Sequence, residues 1–270
     1  MNLVLLGSGG FVVPVFESLW LEHRVLQVFT REPAKVGRKQ IVTKTPVHEW
    51  AESHNIPVKF DINEFKGEGV DYAVVMSYGV IVPDEVLTSG TFLNVHPSDL
   101  PKYRGPSPIR TALRNGDSHS AVCVMKMVEK VDAGDVFIRE GFGIGPNETN
   151  SDIQHKVANI TIDLLHRFLS NPAAYPPIPQ EGEVIITHRT SKEDRMVDLN
   201  AMPAWEIHNR IRAYESVFTT IGNTEVKLLQ TEVTPDNKLK IIRIQPCGKK
   251  EMDWRTFFNG HRDIPSLVSK

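Results

Sequence analysis

The sequence lacks several features that would place it in a specialised class of protein. No apolar run approaches the ~20 residues that a membrane-spanning helix needs. Only two cysteines occur, Cys123 and Cys247, and neither has a neighbouring pattern of metal ligands, so we expect no disulfide and no metal. The formal net charge of −2 argues against a histone-like nucleic-acid binder. These absences predict a globular protein of the cytoplasm without membrane contact.

The opening residues MNLVLLGSGG have no basic segment before their apolar run, so they predict a first strand and not a signal peptide. Further apolar strands are predicted at 25–29, 72–76 and 91–95, and helices at 14–20, 45–53 and 152–169. Unbroken apolar strands that alternate with helices indicate a mostly parallel sheet covered on both faces. Strands at 122–127 and 136–138, joined by a turn at 131–135, extend it. The predicted fold class is α/β and Rossmann-like.

The composition changes after the long helix. The segment NPAAYPPIPQEGE (171–183) holds four prolines and predicts a stiff, extended linker. A helix at 204–214 and short strands at 218–221, 224–231 and 240–244 then predict a small, mainly β domain. We therefore expect three parts, namely a catalytic domain at 1–172, a linker at 173–197 and a final domain at 198–270.

A glycine-rich turn, Gly7-Ser8-Gly9-Gly10, follows the first strand and precedes a helix, as in dinucleotide-binding proteins. That fingerprint needs a third small residue at position 12, where Val12 stands, and an acidic residue at the end of the second strand, which reads VFTR. An NAD-dependent oxidoreductase is therefore disfavoured. A tight turn that brings the backbone close to a small ligand is the better interpretation.

Polar residues end the strand in FLNVHPSDLPKYRGPSPIR, residues 92 to 110. Asn94 and His96 are followed by a proline-rich stretch that forbids regular structure over most of its length. Asp132 lies 36 positions after His96 in the turn VDAGD, and the three side chains converge if the strand ends meet. Backbone capping by Asn94 and His96, with Asp132 as a turn former, is the plainer alternative. No nucleophile elbow surrounds Ser98, so a hydrolase triad is disfavoured.

The segments FLNVHPSDLPKYRGPSPIRTALRNGD and VMKMVEKVDAGDV strongly resemble the folate-dependent formyltransferase superfamily. The shared pattern is Asn-x-His, then Leu-Pro-x-Tyr-Arg-Gly-x-x-Pro-Ile, then an Asp in a glycine turn. The resemblance covers nearly the whole chain, and the late segments IRAY and QPCGKK resemble the branch that acts on tRNA. It implies a Rossmann-like catalytic domain followed by a small β-barrel-like (OB-like) domain that binds tRNA.

The resemblance implies that a formyl group passes from 10-formyltetrahydrofolate, a cosubstrate, to the α-amino group of methionine on initiator methionyl-tRNA, for translation initiation. It implies that Asn94 donates to the oxyanion, that His96 donates to it or relays the proton, and that Asp132 orients the imidazole and shuttles protons. A monomer without metal is expected.

The resemblance also assigns binding residues. Those for the folate, chiefly through backbone groups and through the support of the loop, are Tyr78, Gly79, Val80, Pro97, Ser98, Leu100, Val128 and Val131. Those for tRNA phosphates are Lys35, Arg38, Lys39, Lys192, Arg195, Arg210, Arg212, Lys249 and Lys250. About half of these cations are expected to be ordinary solvated charges.

Alternative functions share parts of this pattern. A formyltransferase for a sugar-nucleotide amine, glycinamide ribonucleotide or another small amine would keep Asn94, His96 and Asp132, but it would have no need of a basic acceptor loop. A non-catalytic tRNA- or folate-binding protein would not need the three residues. Two departures from the family are the Gly-Ser-Gly-Gly opening, in place of a Thr-Pro-type turn, and a short final domain from about Met196.

Overall fold

The computed structural model describes residues 1–37 and 39–260. The chain divides into two compact units, and neither is continuous in sequence. The first unit contains residues 1–106, 121–142 and 154–186, and the second contains 107–120, 143–153 and the chain from Thr187 onward. These units divide the chain differently from the three parts predicted from the sequence, whose limits stay a prediction about function.

The first unit is built on a seven-stranded sheet. Its strands are β1 (Asn2–Gly7), β2 (Arg24–Phe29), β5 (Val58–Lys59), β6 (Tyr72–Met76), β7 (Phe92–His96), β8 (His119–Lys126) and β9 (Val136–Gly143). Their order is β5-β2-β1-β6-β7-β8-β9; the first five are parallel and β8 runs antiparallel to β7. The predicted α/β fold with a mostly parallel sheet is confirmed.

The helices associated with this sheet are α1 (Val13–Glu22), α2 (Pro46–Ser53), α3 (Asp84–Leu87) and α5 (Asn150–Ser170). Helix α2 begins as the sequence predicts, because the Thr45 side chain accepts a hydrogen bond from the His48 N–H at 3.1 Å and Pro46 occupies the first turn. Helix α1 buries Val15, Phe16 and Leu19.

A small antiparallel hairpin lies between β2 and α2. Its strands, β3 (Ala34–Val36) and β4 (Ile41–Thr43), lie in a region for which the sequence predicts neither a strand nor a helix. Gly37 and Gln40 both have a positive φ, which allows the tight turn between the strands. The exposed branched residues Val36, Ile41 and Val42 favour the extended backbone here.

The strand order reverses direction at the centre of the sheet. From β1 the chain moves to β2 and β5 on one side, and it then returns through β6 and β7 on the other. In open α/β sheets, ligands bind at the carboxyl ends of the strands beside such a reversal. The carboxyl end of β7, which holds Asn94 and His96, lies on the same edge of the sheet.

The second unit contains an antiparallel sheet and three helices. The strands are β10 (Val217–Ile221), β11 (Thr224–Val233), β12 (Leu239–Pro246) and β13 (Met252–Asp253), in sequence order, with β10 and β13 at the edges. The helices are α4 (Pro108–Asn115), α6 (Ala204–Tyr214) and α7 (Trp254–Asn259). The buried residues of this unit include Ile207, Val217, Leu228, Ile244 and Phe257. The β-sheet predicted near the end of the chain is confirmed as an antiparallel sheet.

Helix α4 was not predicted, because the stretch before and inside it is rich in proline. Pro108 stands in the first turn, where its missing N–H costs nothing, and Gly116 ends the helix in the left-handed conformation. Residues 1–37 and 39–260 contain no helix long and apolar enough to cross a bilayer.

Candidate active site

Asn94, His96 and Asp132 lie together, as the convergence of the strand ends predicts. The Asp132 carboxylate is at the centre, since its Oδ1 accepts a hydrogen bond from Asn94 Nδ2 at 3.0 Å. Its Oδ2 accepts one from the Gly105 N–H at 2.7 Å and lies 3.5 Å from His96 Nδ1. One carboxylate therefore connects the carboxyl end of β7, the loop after it and the turn that precedes β9.

His96 is held from both sides of its ring. Its Nε2 lies 2.9 Å from the Tyr103 carbonyl oxygen, and its Nδ1 faces Asp132. The side chain is 5% exposed, against 12% for that of Asp132. Asp132 is therefore the more accessible of the two, and His96 supports it from behind. The sequence analysis missed the backbone groups of Tyr103 and Gly105, although both residues belong to the recognised loop.

The proline-rich loop after His96 is fixed by buried contacts. Ser98 is fully buried, and its Oγ donates to the Lys102 carbonyl oxygen at 2.6 Å. Leu100, which precedes a cis peptide bond to Pro101, packs in a small core with Cys123 and Met125. The side chains of Ser98 and Leu100 therefore support the loop from inside, while Pro97 is half-buried.

The turn that carries Asp132 has little freedom. Asp132 itself has φ +50°, a left-handed conformation that few residues other than glycine adopt. A Cβ atom on Gly134 would lie 1.9 Å from the Lys126 carbonyl oxygen, so only glycine fits there. The Lys126 N–H donates to the Asp135 carbonyl oxygen at 2.9 Å and closes the turn. This geometry directs the Asp132 carboxylate back towards β7.

The end of β6 presents backbone groups and not the side chain of Tyr78. The Tyr78 ring is buried in the core beside Val75 and Phe92, and its carbonyl oxygen accepts a hydrogen bond from Ser8 Oγ at 3.1 Å. Gly79 has φ +79° and is exposed, as is Val80. Val128 and Val131, also predicted to bind folate, are exposed apolar residues.

The glycine-rich opening serves packing. A Cβ on Gly7 would lie 2.8 Å from the Phe16 ring of α1, so this glycine lets the helix approach β1. Ser8 is buried and also lies 3.3 Å from the Thr30 hydroxyl. The turn therefore anchors the ends of β2 and β6, which agrees with the rejection of a dinucleotide fingerprint.

The cations predicted to contact tRNA differ in their surroundings. Those with exposed side chains are Lys35, Lys39, Lys192, Lys249 and Lys250. Lys35 lies on β3 and Lys39 in the turn that follows it, while Arg38 lies outside the described residues. The Arg195 Nε donates a hydrogen bond to the Ser216 carbonyl oxygen at 3.2 Å, and its guanidinium carbon lies 5.1 Å from the centroid of the Phe218 ring. Arg210 pairs with Glu206 at 3.0 Å.

Arg212 differs from the exposed lysines of the predicted set. Its guanidinium is buried and donates to the carbonyl oxygens of Glu148 at 2.9 Å and Gly145 at 2.8 Å, and to Asn209 Oδ1. Burial also lowers the pKa of this guanidinium. Arg212 therefore joins the segment at 145–148 to helix α6 within the second unit, and three of its five N–H donors are used in these bonds.

No group of three or more His, Cys, Asp or Glu side chains in the described part of the chain has the arrangement of a metal site.

The predicted linker pairs with the sheet and with the loop after β7. Ile178 exchanges two backbone hydrogen bonds with Val136, each of 2.9 Å, and the Arg104 N–H donates to the Ile185 carbonyl oxygen at 2.9 Å. Proline content alone gave no signal for this pairing.

Comparison with known proteins identifies the family. Residues 1–169 match the family described as "Formyl transferase", and residues 189–240 match "Formyl transferase, C-terminal domain". The chain is 32% identical to a methionyl-tRNA formyltransferase of Rickettsia massiliae (strain Mtu5) over 303 aligned positions, which cover 100% of both chains.

Solved structures share the fold. The methionyl-tRNA formyltransferase from Clostridium thermocellum superposes with a TM-score of 0.65 at 16% identity, covering 91% of this chain and 98% of that one. An N-formyltransferase from Helicobacter canadensis, in complex with folinic acid and dTDP-3-aminofucose, has a TM-score of 0.63 at 20% identity, covering 93% and 98%. With both family regions matched in sequence order and a relative aligned over its whole length, the chain belongs to the formyl transferase family.

Proposed function

We propose that this protein transfers the formyl group of 10-formyltetrahydrofolate to the α-amino group of methionine on initiator tRNA. The observation that carries the proposal is the hydrogen-bonded group of Asn94, His96 and Asp132 at the carboxyl end of β7. Membership of the family and the full-length relative named methionyl-tRNA formyltransferase support the reaction and its acceptor.

The reaction sets three chemical requirements. The attacking amine must be neutral, and since free α-amino groups titrate near pH ~8, a weak base in the site is sufficient. The tetrahedral intermediate needs a hydrogen-bond donor for its oxyanion. The departing nitrogen needs a proton. No covalent bond to the protein is required, which agrees with the buried and engaged Ser98 hydroxyl.

Asn94 meets the second requirement. An amide nitrogen has two hydrogens, and Asn94 uses one of them on Asp132. The second donates to the oxyanion. Because Asp132 fixes the amide plane before the substrate arrives, little reorganisation is needed during the reaction.

Asp132 and His96 handle the protons. Asp132, the more exposed of the two, takes the proton from the amine, directly or through a water. His96, whose Nδ1 faces Asp132, keeps the carboxylate in place, and Asp132 returns the proton to the departing nitrogen, directly or through a water. The Tyr103 carbonyl oxygen fixes the ring during both steps.

Binding of the two substrates uses different surfaces. Backbone groups at 78–80 and the exposed side chains of Val80, Val128 and Val131 would cover the folate. The exposed lysines at 35, 39, 192, 249 and 250, together with Arg38, would contact tRNA phosphates. Ser98 and Leu100 act on the folate side only by shaping the loop. We also propose that the protein is a cytoplasmic monomer. Sedimentation of the purified protein would test the monomeric state.

The direct test is formyl transfer from 10-formyltetrahydrofolate to charged initiator tRNA, with amino sugars as competing acceptors. We expect transfer to methionyl-tRNA, with kcat lowered about 10²–10³-fold in Asn94→Ala and about 10²–10⁴-fold in Asp132→Asn. The exposed Asp99 supplies the control variant Asp99→Asn, which should retain activity. Transfer to amino sugars alone would contradict the tRNA assignment and leave the chemistry in place.

A further inference from the structure

Gln180, in the segment predicted to be a simple linker, lies against the backbone of the turn that carries Asp132. Its Nε2 donates to the Asp132 carbonyl oxygen at 2.9 Å and to the Gly134 carbonyl oxygen at 2.7 Å. Its Oε1 accepts from Arg104 Nε at 3.0 Å and from Arg104 Nη2 at 2.7 Å. A carboxamide offers two hydrogens and two lone pairs, and here all four are used.

These four hydrogen bonds join the two segments that fix the Asp132 carboxylate. The first segment is the turn itself, where Asp132 keeps φ +50°. The second is the loop after β7, where Arg104 precedes Gly105, whose N–H donates to Asp132 Oδ2. Gln180 therefore restrains the main chain of Asp132 and the neighbour of the residue that binds its side chain.

The position of Gln180 is itself fixed by backbone pairing on both sides. Ile178 pairs with Val136, just after the turn, and the Ile185 carbonyl oxygen accepts the Arg104 N–H. A side chain between two such pairings has little freedom to move away. Its amide therefore connects the turn to the loop in a fixed position. A linker that only separated two domains would not need such contacts.

We propose that Gln180 is a positioning residue for formyl transfer, which acts by holding the Asp132 carboxylate in line with Asn94 and His96. The inference rests on the proposed function of the site. Because all four hydrogen-bonding positions of its amide are used within the protein, we expect its loss to affect the rate of the chemical step more than the binding of either substrate.

The test uses the whole protein with three substitutions. Gln180→Met keeps the length of the side chain and removes its hydrogen bonds; Gln180→Glu keeps the acceptor for Arg104 and removes both donors. The control is Glu181→Gln at the exposed neighbouring position. We expect kcat to fall about 10–10²-fold in both Gln180 variants, because small displacements of catalytic groups cost rates of this order. We expect KM for both substrates to change little. The pH–rate profile should change shape in the two Gln180 variants and not in Glu181→Gln.

Several outcomes would overturn the inference. These are a Gln180→Met protein with the kcat and pH–rate profile of the wild type, a loss expressed mainly in KM, or a loss matched by a smaller folded fraction in thermal unfolding. Rates are measured with methionyl-tRNA and with amino sugars. If the wild type uses only the sugars, the proposed acceptor fails while kcat on those sugars still tests Gln180. Transfer by the wild type to no amine would overturn both proposals.

Discussion

Tyr78 buries its hydroxyl in the core of the parallel sheet, and within residues 1–37 and 39–260 that oxygen has no hydrogen-bond partner. A buried hydroxyl without a hydrogen-bond partner lowers the free energy of unfolding, because it loses its bonds to water. A phenylalanine ring at the same position has no such cost. Burial also raises the pKa of Tyr78 to about 12. The position is used for its backbone, while the side chain fills the core.

Tyr78→Phe should therefore leave the midpoint of thermal unfolding at pH 8 unchanged or higher. Because the unfolded chain ionises this phenol near pH ~10 and the folded chain only near pH 12, the wild type loses stability as pH rises through this interval. The variant should lose less. Unfolding midpoints at pH 8 and 10.5 check this, with the partly exposed Tyr175→Phe as control. An equal alkaline loss in wild type and Tyr78→Phe would contradict it.

The two cysteines should differ sharply in reactivity. Cys123 is fully buried, its thiol donates to the Ser98 carbonyl oxygen at 3.1 Å, and burial raises its pKa to about 11. Cys247 is exposed. We expect iodoacetamide at pH 8 to modify the folded protein once, at Cys247, and the unfolded protein twice. Intact mass and peptide mapping measure this. Early labelling of Cys123 would show that the loop after β7 opens readily.

At the scale of single elements, the turn between β8 and β9 is tightly constrained by its own backbone. It must bring Asp132 to Asn94 while its backbone passes against Lys126. The sequence suggests a glycine turn, but the close approach of the Lys126 carbonyl oxygen is a tertiary feature that no local pattern contains.

Gly134→Ala should displace this turn and lower kcat by about 10²-fold or more, because its Cβ would lie 1.9 Å from the Lys126 carbonyl oxygen. Gly10→Ala is the matched control, since its Cβ would meet only Pro46, at 3.7 Å. Steady-state kinetics of both variants decide the matter, with circular dichroism to confirm folding. Wild-type kinetics in Gly134→Ala would mean that the turn can move without effect on Asp132.

Elements with a strong local signal are predicted well from the sequence. The central strands are unbroken apolar runs, and α2 has Thr45 and Pro46 at its start, so their limits agree within a residue or two. Helix α4 and the β3–β4 hairpin were missed, because prolines mask the helix and three-residue strands have little periodicity. The convergence of Asn94, His96 and Asp132 follows from the sheet, whereas the role of Gln180 depends on pairing between distant segments.

At the scale of the whole molecule, a formal net charge of −2 must be reconciled with binding of a polyanion. The reconciliation is local, since exposed lysines occur in the β3–β4 hairpin and at 249–250, after β12. Phosphate contacts from such residues release counterions and give affinity that depends on salt.

We therefore expect the Kd for initiator tRNA to rise steeply with salt, and Lys249→Ala with Lys250→Ala to weaken binding and reduce the slope of log K against log salt by about 1–2. Lys238→Ala is the control, because Lys238 already pairs with Asp236 at 2.7 Å. Filter binding between 50 and 200 mM salt gives the slopes. An unchanged slope in the double variant would mean that Lys249 and Lys250 do not contact tRNA phosphates.

The pairing of residues 178–186 with Val136 and Arg104 affects how the enzyme comes into being on the ribosome. A nascent chain of 172 residues already contains Asn94, His96 and Asp132, but it lacks the backbone partners of Val136 and Arg104 and the amide of Gln180. Catalytic competence should therefore appear only after the segment through Ile186 has emerged. A truncated messenger RNA that ends before the codon for Ile186 should therefore yield a protein that contains Asn94, His96 and Asp132 but does not hold them in the catalytic arrangement.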